Sequence, residues 1–337
     1  MMCSKFPIKA ALILGCILLT ANRAGAVQGE DLVSQRPPGD GPTQIEVSLY
    51  LIDVMKVIDP EETFEADIFF IASWNDPRLS GTQIRTVQAS EVWMPNLLVV
   101  NKRDASPDLP QVVTIQPDGT VVYRQRLMGT FASPLDLHRF PLDAQTLQVQ
   151  LVCYGMNTDE LVLVGSDEVP ASRNPDLSIR DWKVGDVRLS ADTFTPVPGG
   201  QELSRLNVHL DIERLIRYYI VQMLIPLILI VAMSWVPFWI NPEVIPTRIG
   251  TCVTTVLTLV AFRFMFGSLV PKLPYLTLFD YLLFGATILV AASLLTLSVE
   301  SKLVQKHPDT VKKIDKIARI THPVFFVLVI VLAFLFC

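Results

Sequence analysis

Four threonines, Thr247, Thr251, Thr254 and Thr258, recur at spacings of 4, 3 and 4 within the apolar stretch IPTRIGTCVTTVLTLVAF. At about 100° per residue they share one face of a helix. Their hydroxyls can bond back to carbonyls of their own helix or reach neighbouring helices. They can equally line a path that carries water. Arg263 bears on the choice, because a charge inside an apolar span is costly unless it meets water, a partner or the interface. With Arg248 at the start of the same segment, the pattern favours a helix beside water over one wrapped in lipid.

Reactive chemistry is otherwise thin. The chain has no HExxH, GxSxG, Walker or GxGxxG pattern. Its histidines, His138, His209, His307 and His322, are scattered without metal-ligand spacing. His322-Pro323 reads as the start of the last apolar segment rather than a ligand. The expectation is therefore no enzyme, no metal and no cofactor. A net charge of −5 argues against nucleic acid as a partner.

The elements that must position these residues divide the chain in two. Half of the 337 residues are hydrophobic and the mean hydropathy is +0.41. Apolar segments at 218–240, 249–270, 281–299 and 321–337 each approach the roughly 20 residues a membrane helix needs. Residues 1–26 read as a secretory signal: Lys5 and Lys9, the run AALILGCILLTA, then Ala24-Gly25-Ala26. Cys3 and Cys16 fall inside that segment, and Cys252 and Cys337 inside apolar spans. Cys153 is then alone in the exported region, which has no internal disulfide to draw on.

Between 43 and 213 the stretches QIEVSLYLIDVMKV, FEADIFFIASW, TVQASEVWM, TVVYRQRLMGTF, TLQVQLV, DWKVGDVRL and RLNVHLDIE alternate as strands do. Pro-Asp-Gly at 117–119, Asp-Pro at 59–60 and 76–77, and Pro-Gly-Gly at 198–200 punctuate them. The expected fold is an N-terminal antiparallel β-sandwich, immunoglobulin-like, followed by a four-helix transmembrane bundle. The domains are a signal (1–26), an exported sandwich (27–213) and a membrane domain (214–337) with spans near 218–240, 246–270, 278–303 and 320–337. The loop 300–319 carries Lys302, Lys306, Lys312, Lys313, Lys316 and Arg319 against three acids and reads as cytoplasmic. Signal and charge rule then agree on a multi-pass topology with the sandwich and the C-terminus outside the cytoplasm.

Several motifs in fixed order resemble the pentameric ligand-gated ion channels, the Cys-loop receptor superfamily. SWVPFWINPEVIPTRIGTCVTTVLTL is similar to the end of their first span and to their second. LVPKLPYLTLFD resembles the loop into their third, FPLDAQ (140–145) matches the naming loop, and WNDPRL (74–79) and WMPN (93–96) resemble two sandwich signatures. The positions of the bridging cysteines fall on Ser133 and Leu147, so this loop is uncrosslinked, as in bacterial members; Asn96 stands where an Asp is usual.

The resemblance implies a homopentamer around a central pore, opened by a small-molecule agonist or by protons and passing inorganic ions. Pore-lining residues would be Gly250, Thr254, Leu257, Ala261 and Phe264, with Leu257 and Phe264 as hydrophobic gate rings. That line is turned roughly 70° from the hydroxyl stripe and shares Thr254 with it, so Thr251 and Thr258 face a neighbouring helix. Glu243, Pro246, Thr247 and Arg248 would set ion selectivity; Pro246-Thr247-Arg248 leans towards anions, while Glu243 could form an acidic ring. An aromatic box between subunits would fall on Phe69, Val100, Tyr154 and Phe194, incomplete at Val100. Asp59, Asp143 and Arg214 would couple the domains through a loop running from Pro271 to Pro274. The alternative is a non-conducting, membrane-anchored ligand sensor, which needs neither a hydroxyl stripe nor a Leu257 ring.

Overall fold

A computed structural model describes residues 33–268 and 272–336; the expected signal and Pro271 lie outside them. Twelve strands form the N-terminal half: β1 (Thr43–Ile58), β2 (Thr63–Asn75), β3 (Arg85–Gln88), β4 (Leu97–Val99), β5 (Lys102–Pro107), β6 (Val112–Ile115), β7 (Thr120–Ala132), β8 (Ala144–Cys153), β9 (Leu161–Gly165), β10 (Ser172–Arg173), β11 (Trp182–Phe194) and β12 (Leu203–Arg214). One sheet orders them β10-β1-β2-β7-β6-β3, with β5 on β7 and β9 on β1; the other is β11-β12-β8-β4. The pairing is antiparallel except that β9 and β10 run parallel to β1.

Period-2 alternation does the sorting. Leu147, Val149 and Leu151 on β8 and Leu206, Val208, Leu210 and Ile212 on β12 are all buried, against Ile45, Val47, Leu49 and Leu51 of β1 in one shared core. The stretch TVQASEVWM is a correction. Only its first residues are strand, and Ala89–Glu91 turn into a 3₁₀ helix closed by a Gln88/Glu91 capping box. Val92 and Trp93 are still buried, so apolar content misled where hydrogen bonding decided.

WNDPRL proves to be a structural knot. Asp76 is fully buried and accepts from Arg78 N (3.1 Å), Nε (2.9 Å) and Nη2 (2.8 Å). Gly119 closes the facing turn at φ +88°, where a Cβ would lie 2.6 Å from the Asp76 carbonyl oxygen. Asp76→Asn turns one acceptor oxygen into a donor facing Arg78. It is expected to cost about 1.5–3 kcal/mol, lowering Tm by roughly 2–4 °C per kcal/mol in a tryptophan-fluorescence melt.

Four helices follow: α1 (Arg217–Trp239), α2 (Ile245–Phe266), α3 (Leu278–Leu303) and α4 (Pro308–Phe336). Each is long and apolar enough to cross a membrane. α1 passes through a π turn at Ile220–Leu224. α3 starts on a capping box in which Thr277 and Asp280 exchange hydrogen bonds, the T-x-x-D signal of LTLFD. At Gly285 a Cβ would sit 2.1 Å from Val329 Cγ1, so the missing side chain lets α4 close on α3.

The basic segment expected as a loop over 300–319 is mostly helix. α3 continues to Leu303 and α4 begins at Pro308. Val311, Asp315 and Ala318 turn inward while Lys312, Lys313 and Lys316 stay exposed, so this stretch is an amphipathic first part of α4. His322-Pro323 consequently lies inside α4, not at its start, and the His322 ring nitrogen Nε2 meets Ser293 Oγ at 2.6 Å.

Candidate pore face and domain junction

One face of α2, carrying Arg248, Cys252, Thr255, Leu259, Phe262 and Phe266, is buried against α1 and α3. The opposite side bears Gly250, Thr254, Leu257, Ala261 and Phe264, all exposed in the single chain, Leu257 by 65% and Phe264 by 79%. All of the expected lining residues therefore share a face that, among the described residues, no other helix covers. The threonines do what helix hydroxyls commonly do. Thr251, Thr254, Thr255 and Thr258 each donate to the carbonyl four residues back at 2.9 Å. Such a hydroxyl is already satisfied, so the stripe alone does not announce water. Arg263 is exposed in the last turn of α2, close to the helix end where an interface can hydrate it.

Arg248 departs most from expectation. Its side chain is 1% exposed and enters the bundle. Nε donates to the Pro237 carbonyl at 2.8 Å, Nη2 pairs with Asp315 Oδ1, and Nη1 lies 3.0 Å from Glu300 Oε2. Glu243, Pro246 and Thr247 are exposed around the α2 start. The charge left open to solvent at that end of α2 is a carboxylate.

At the sandwich–helix junction the geometry is dense. The alternation that buries Leu206 to Ile212 carries Arg214 inward with them, to 5% exposure. Its Nε donates to Asp143 Oδ1 (2.7 Å) and Nη2 to Oδ2 (3.1 Å), while Nη1 and Nη2 reach Asp59 at 2.7 and 3.1 Å. Nη1 also donates to the Tyr219 hydroxyl at 2.8 Å, and the guanidinium lies 4.0 Å from the Trp182 ring centroid and 4.9 Å from that of Phe140. Burial raises Asp59 above the ordinary carboxylate range even against the pull of Arg214. Burial disfavours the Arg214 charge, but its bonds to Asp143 and Asp59 outweigh that and raise its pKa, so it stays charged.

The FPLDAQ loop is the bridge. Phe140 packs edge-on to Tyr219 of α1 at 5.3 Å and lies 6.3 Å from Phe266 of α2. His138 stacks on Tyr275, 3.7 Å between centroids and 6° between planes; its carbonyl accepts from Leu278 N at 2.7 Å, and Leu137 N donates to the Tyr275 hydroxyl at 3.2 Å. Asp59, Asp143 and Arg214 thus meet as expected, whereas Pro274 is exposed and its neighbour Tyr275 makes the contact. No role was assigned from sequence to Tyr275, Tyr219, Trp182, Phe140 or His138, although FPLDAQ, LVPKLPYLTLFD and DWKVGDVRL contain Phe140, Tyr275 and Trp182.

The four ligand-box positions divide between sheets. Phe69 sits on β2, and Phe194 on β11 of the other sheet. Val100 and Tyr154 flank the β4–β8 pair: Val100 N donates to the Gln150 carbonyl at 3.0 Å and Tyr154 N to that of Asn96 at 2.9 Å. Phe194 already carries a cation, the Arg205 guanidinium 5.4 Å from its ring centroid, which a double hydrogen bond to Asp192 fixes in place. That pairing holds the Asp192 carboxyl below its usual range. Tyr154 is 54% exposed and open.

Comparison with known proteins covers both halves. Residues 32–216 match the neurotransmitter-gated ion-channel ligand binding domain, and residues 223–321 the neurotransmitter-gated ion-channel transmembrane region. The chain is similar to a proton-gated ion channel of Gloeobacter violaceus, 31% identical over 326 residues that cover 92% of this chain and 88% of the relative. It is 27% identical to a gamma-aminobutyric acid receptor subunit beta-4 of Gallus gallus over 80% of this chain, and 28% identical to a glutamate-gated chloride channel of Drosophila melanogaster over 73%. The chain spans 57% of the length of each of these two animal relatives.

Proposed function

The chain belongs to the neurotransmitter-gated ion-channel family, and from that premise we propose that five copies surround a pore lined by α2. It is a multi-pass membrane ion channel and not an enzyme. The observation that carries the pore reading is the uncovered α2 face with Leu257 and Phe264 at its bulkiest points. Repeated around an axis, those side chains make two hydrophobic rings, and such constrictions gate by dewetting.

A sandwich site formed between copies suits the division of Phe69 from Val100, Tyr154 and Phe194, since each chain would lend one sheet. With Val100 aliphatic and Phe194 occupied by Arg205, Tyr154 is left as the one open aromatic of the four positions, too few for the box of rings that holds an amine. Protons, the stimulus in the name of the Gloeobacter relative, or an agonist other than an amine fit better. Coupling then runs from the sandwich through Arg214 and the His138–Tyr275 stack to α2 and α3. With Arg248 withdrawn, an anion preference rests on the backbone around Pro246 and Thr247 against the Glu243 carboxylate. The reversal potential under a KCl gradient reads the sign, and the inner membrane is the proposed location.

The test is accessibility during conduction. In liposomes, Thr254→Cys should lose most of its current when a charged thiol reagent is added. The native Cys252 is fully buried, and a wild-type control corrects for it. Current untouched by the reagent would place Thr254 outside the pore, and no current from a folded, pentameric protein would favour the non-conducting sensor.

A further inference from the structure

The Arg248 cluster has one charge too many. Arg248 of α2, Glu300 of α3 and Asp315 of α4 have side chains no more than 2% exposed, and two carboxylates share one guanidinium. Among the described residues Glu300 Oε1 and Asp315 Oδ2 have no hydrogen-bond partner, and Glu300 Oε2 has only the ion pair to Arg248 Nη1 at 3.0 Å. Among the described residues no second cation forms an ion pair with either carboxylate. Arg319 of α4 acts on Asp315 through its field, but its Nε donates to the Phe238 carbonyl at 2.9 Å and its guanidinium lies 4.7 Å from the Trp239 ring. The segment joining α1 to α2 contributes the Pro237 and Phe238 carbonyls, which only accept. From α2 comes the Cys252 thiol, one turn beyond Arg248 and fully buried.

A lone excess negative charge in a dry bundle is expensive, and buried carboxylates that outnumber their cations relieve it by taking up a proton. A proton also supplies a donor where Glu300 Oε1 and Asp315 Oδ2 have none among the described residues. We propose that Glu300, Asp315 and Arg248 form a proton-binding site inside each subunit near the cytoplasmic face, holding one shared proton at neutral pH. The site ties the first turn of α2 to α3 and α4, beside the exposed Glu243, Pro246 and Thr247. Losing the proton would leave two buried anions on one cation and loosen that tie. Cytoplasmic alkalinisation would thus act on the inner mouth, independently of any stimulus reaching the sandwich. The proton belongs to the coupled pair rather than to either residue.

The site is testable without assuming conduction. Full-length protein in liposomes should show a carboxylic-acid C=O infrared band at neutral pH that shifts in D₂O and disappears on alkalinisation. Glu300→Gln, a neutral isostere of the protonated side chain, should assemble normally and lack the band, and Asp315→Asn should alter it. An absent band in wild type, a band unchanged in both variants, or failure of Glu300→Gln to assemble would overturn the assignment. A cation in place of the proton would give the first of these results. In patches, current should depend on cytoplasmic-side pH and lose that dependence in Glu300→Gln; dependence that persists in both variants would remove control of the pore.

Discussion

Arg214→Ala should cost about 3–5 kcal/mol of stability at neutral pH and abolish gating. The replacement leaves Asp59 and Asp143, with side chains 12% and 2% exposed, facing each other with no cation. It also empties the space between the Trp182, Phe140 and Tyr219 rings. The pH dependence has a definite sign. Asp59 already has a folded-state pKa above its ordinary value of 3.8. A group raised in this way stabilises the fold below its unfolded pKa, and that contribution disappears as pH rises through the folded one. Removing Arg214 removes the bonds and field that oppose burial, so the Asp59 shift grows. The variant's deficit should therefore be widest near neutrality and shrink as pH falls towards about 4. Thermal melts of wild type and variant across that range check it, and a deficit independent of pH would show that lost packing, not stranded charge, dominates. Arg214→Lys should fall between the two, because one ammonium cannot fork across two carboxylates. At the acidic end, where the variant folds, stimulated current should still be absent, since no cation joins β12 to Asp59 and the FPLDAQ loop.

What was legible in the sequence followed from period and local chemistry. Alternation placed β1, β2, β7, β8, β11 and β12, and the same period that buries Ile212 directs Arg214 inward, whereas its meeting with Asp143 was expected only from the family resemblance of FPLDAQ. Helix lengths were equally readable, while the exposed α2 face was expected only from the family resemblance. What was not legible depends on contacts between distant positions. Arg248 looked like a pore-mouth charge because Glu300 and Asp315, its partners, read as two acids within a basic loop. Only the amphipathic first part of α4, which brings Asp315 inward, reveals the pairing. The threonine stripe suggested water, yet the hydroxyls of Thr251, Thr254 and Thr258 bond within their own helix. His138 and Tyr275 are aromatic neighbours far apart in the chain, and no local pattern announces a stack. The short strand β3 failed for the opposite reason: a capping box, a local feature, overrode an apolar pattern.

Leu257→Ala should open a leak without any agonist. Leu257 is 65% exposed on α2, and in the proposed pentamer five such side chains meet at one level. Their isobutyl groups keep the constriction dry, and at about 0.8 kcal/mol per buried CH₂ trimming all five removes several kcal/mol of apolar barrier. Since each 1.4 kcal/mol is roughly a tenfold change, unstimulated flux should rise by about tenfold or more over wild type. The control lies two residues away. Leu259 is 4% exposed on the opposite face, so Leu259→Ala should cost about 2–5 kcal/mol through a cavity and produce no comparable leak. Helix loosening would make both variants leak, whereas a gate makes only Leu257→Ala leak. Ion flux from dye-loaded liposomes, with pentamer content checked by size and mass, separates these cases. A folded, pentameric Leu257→Ala that stays silent would mean that the exposed face of α2 meets lipid or another subunit. A silent face of that kind is what a membrane-anchored sensor would have, so the same measurement decides between a ring that holds water back and a helix that never met it.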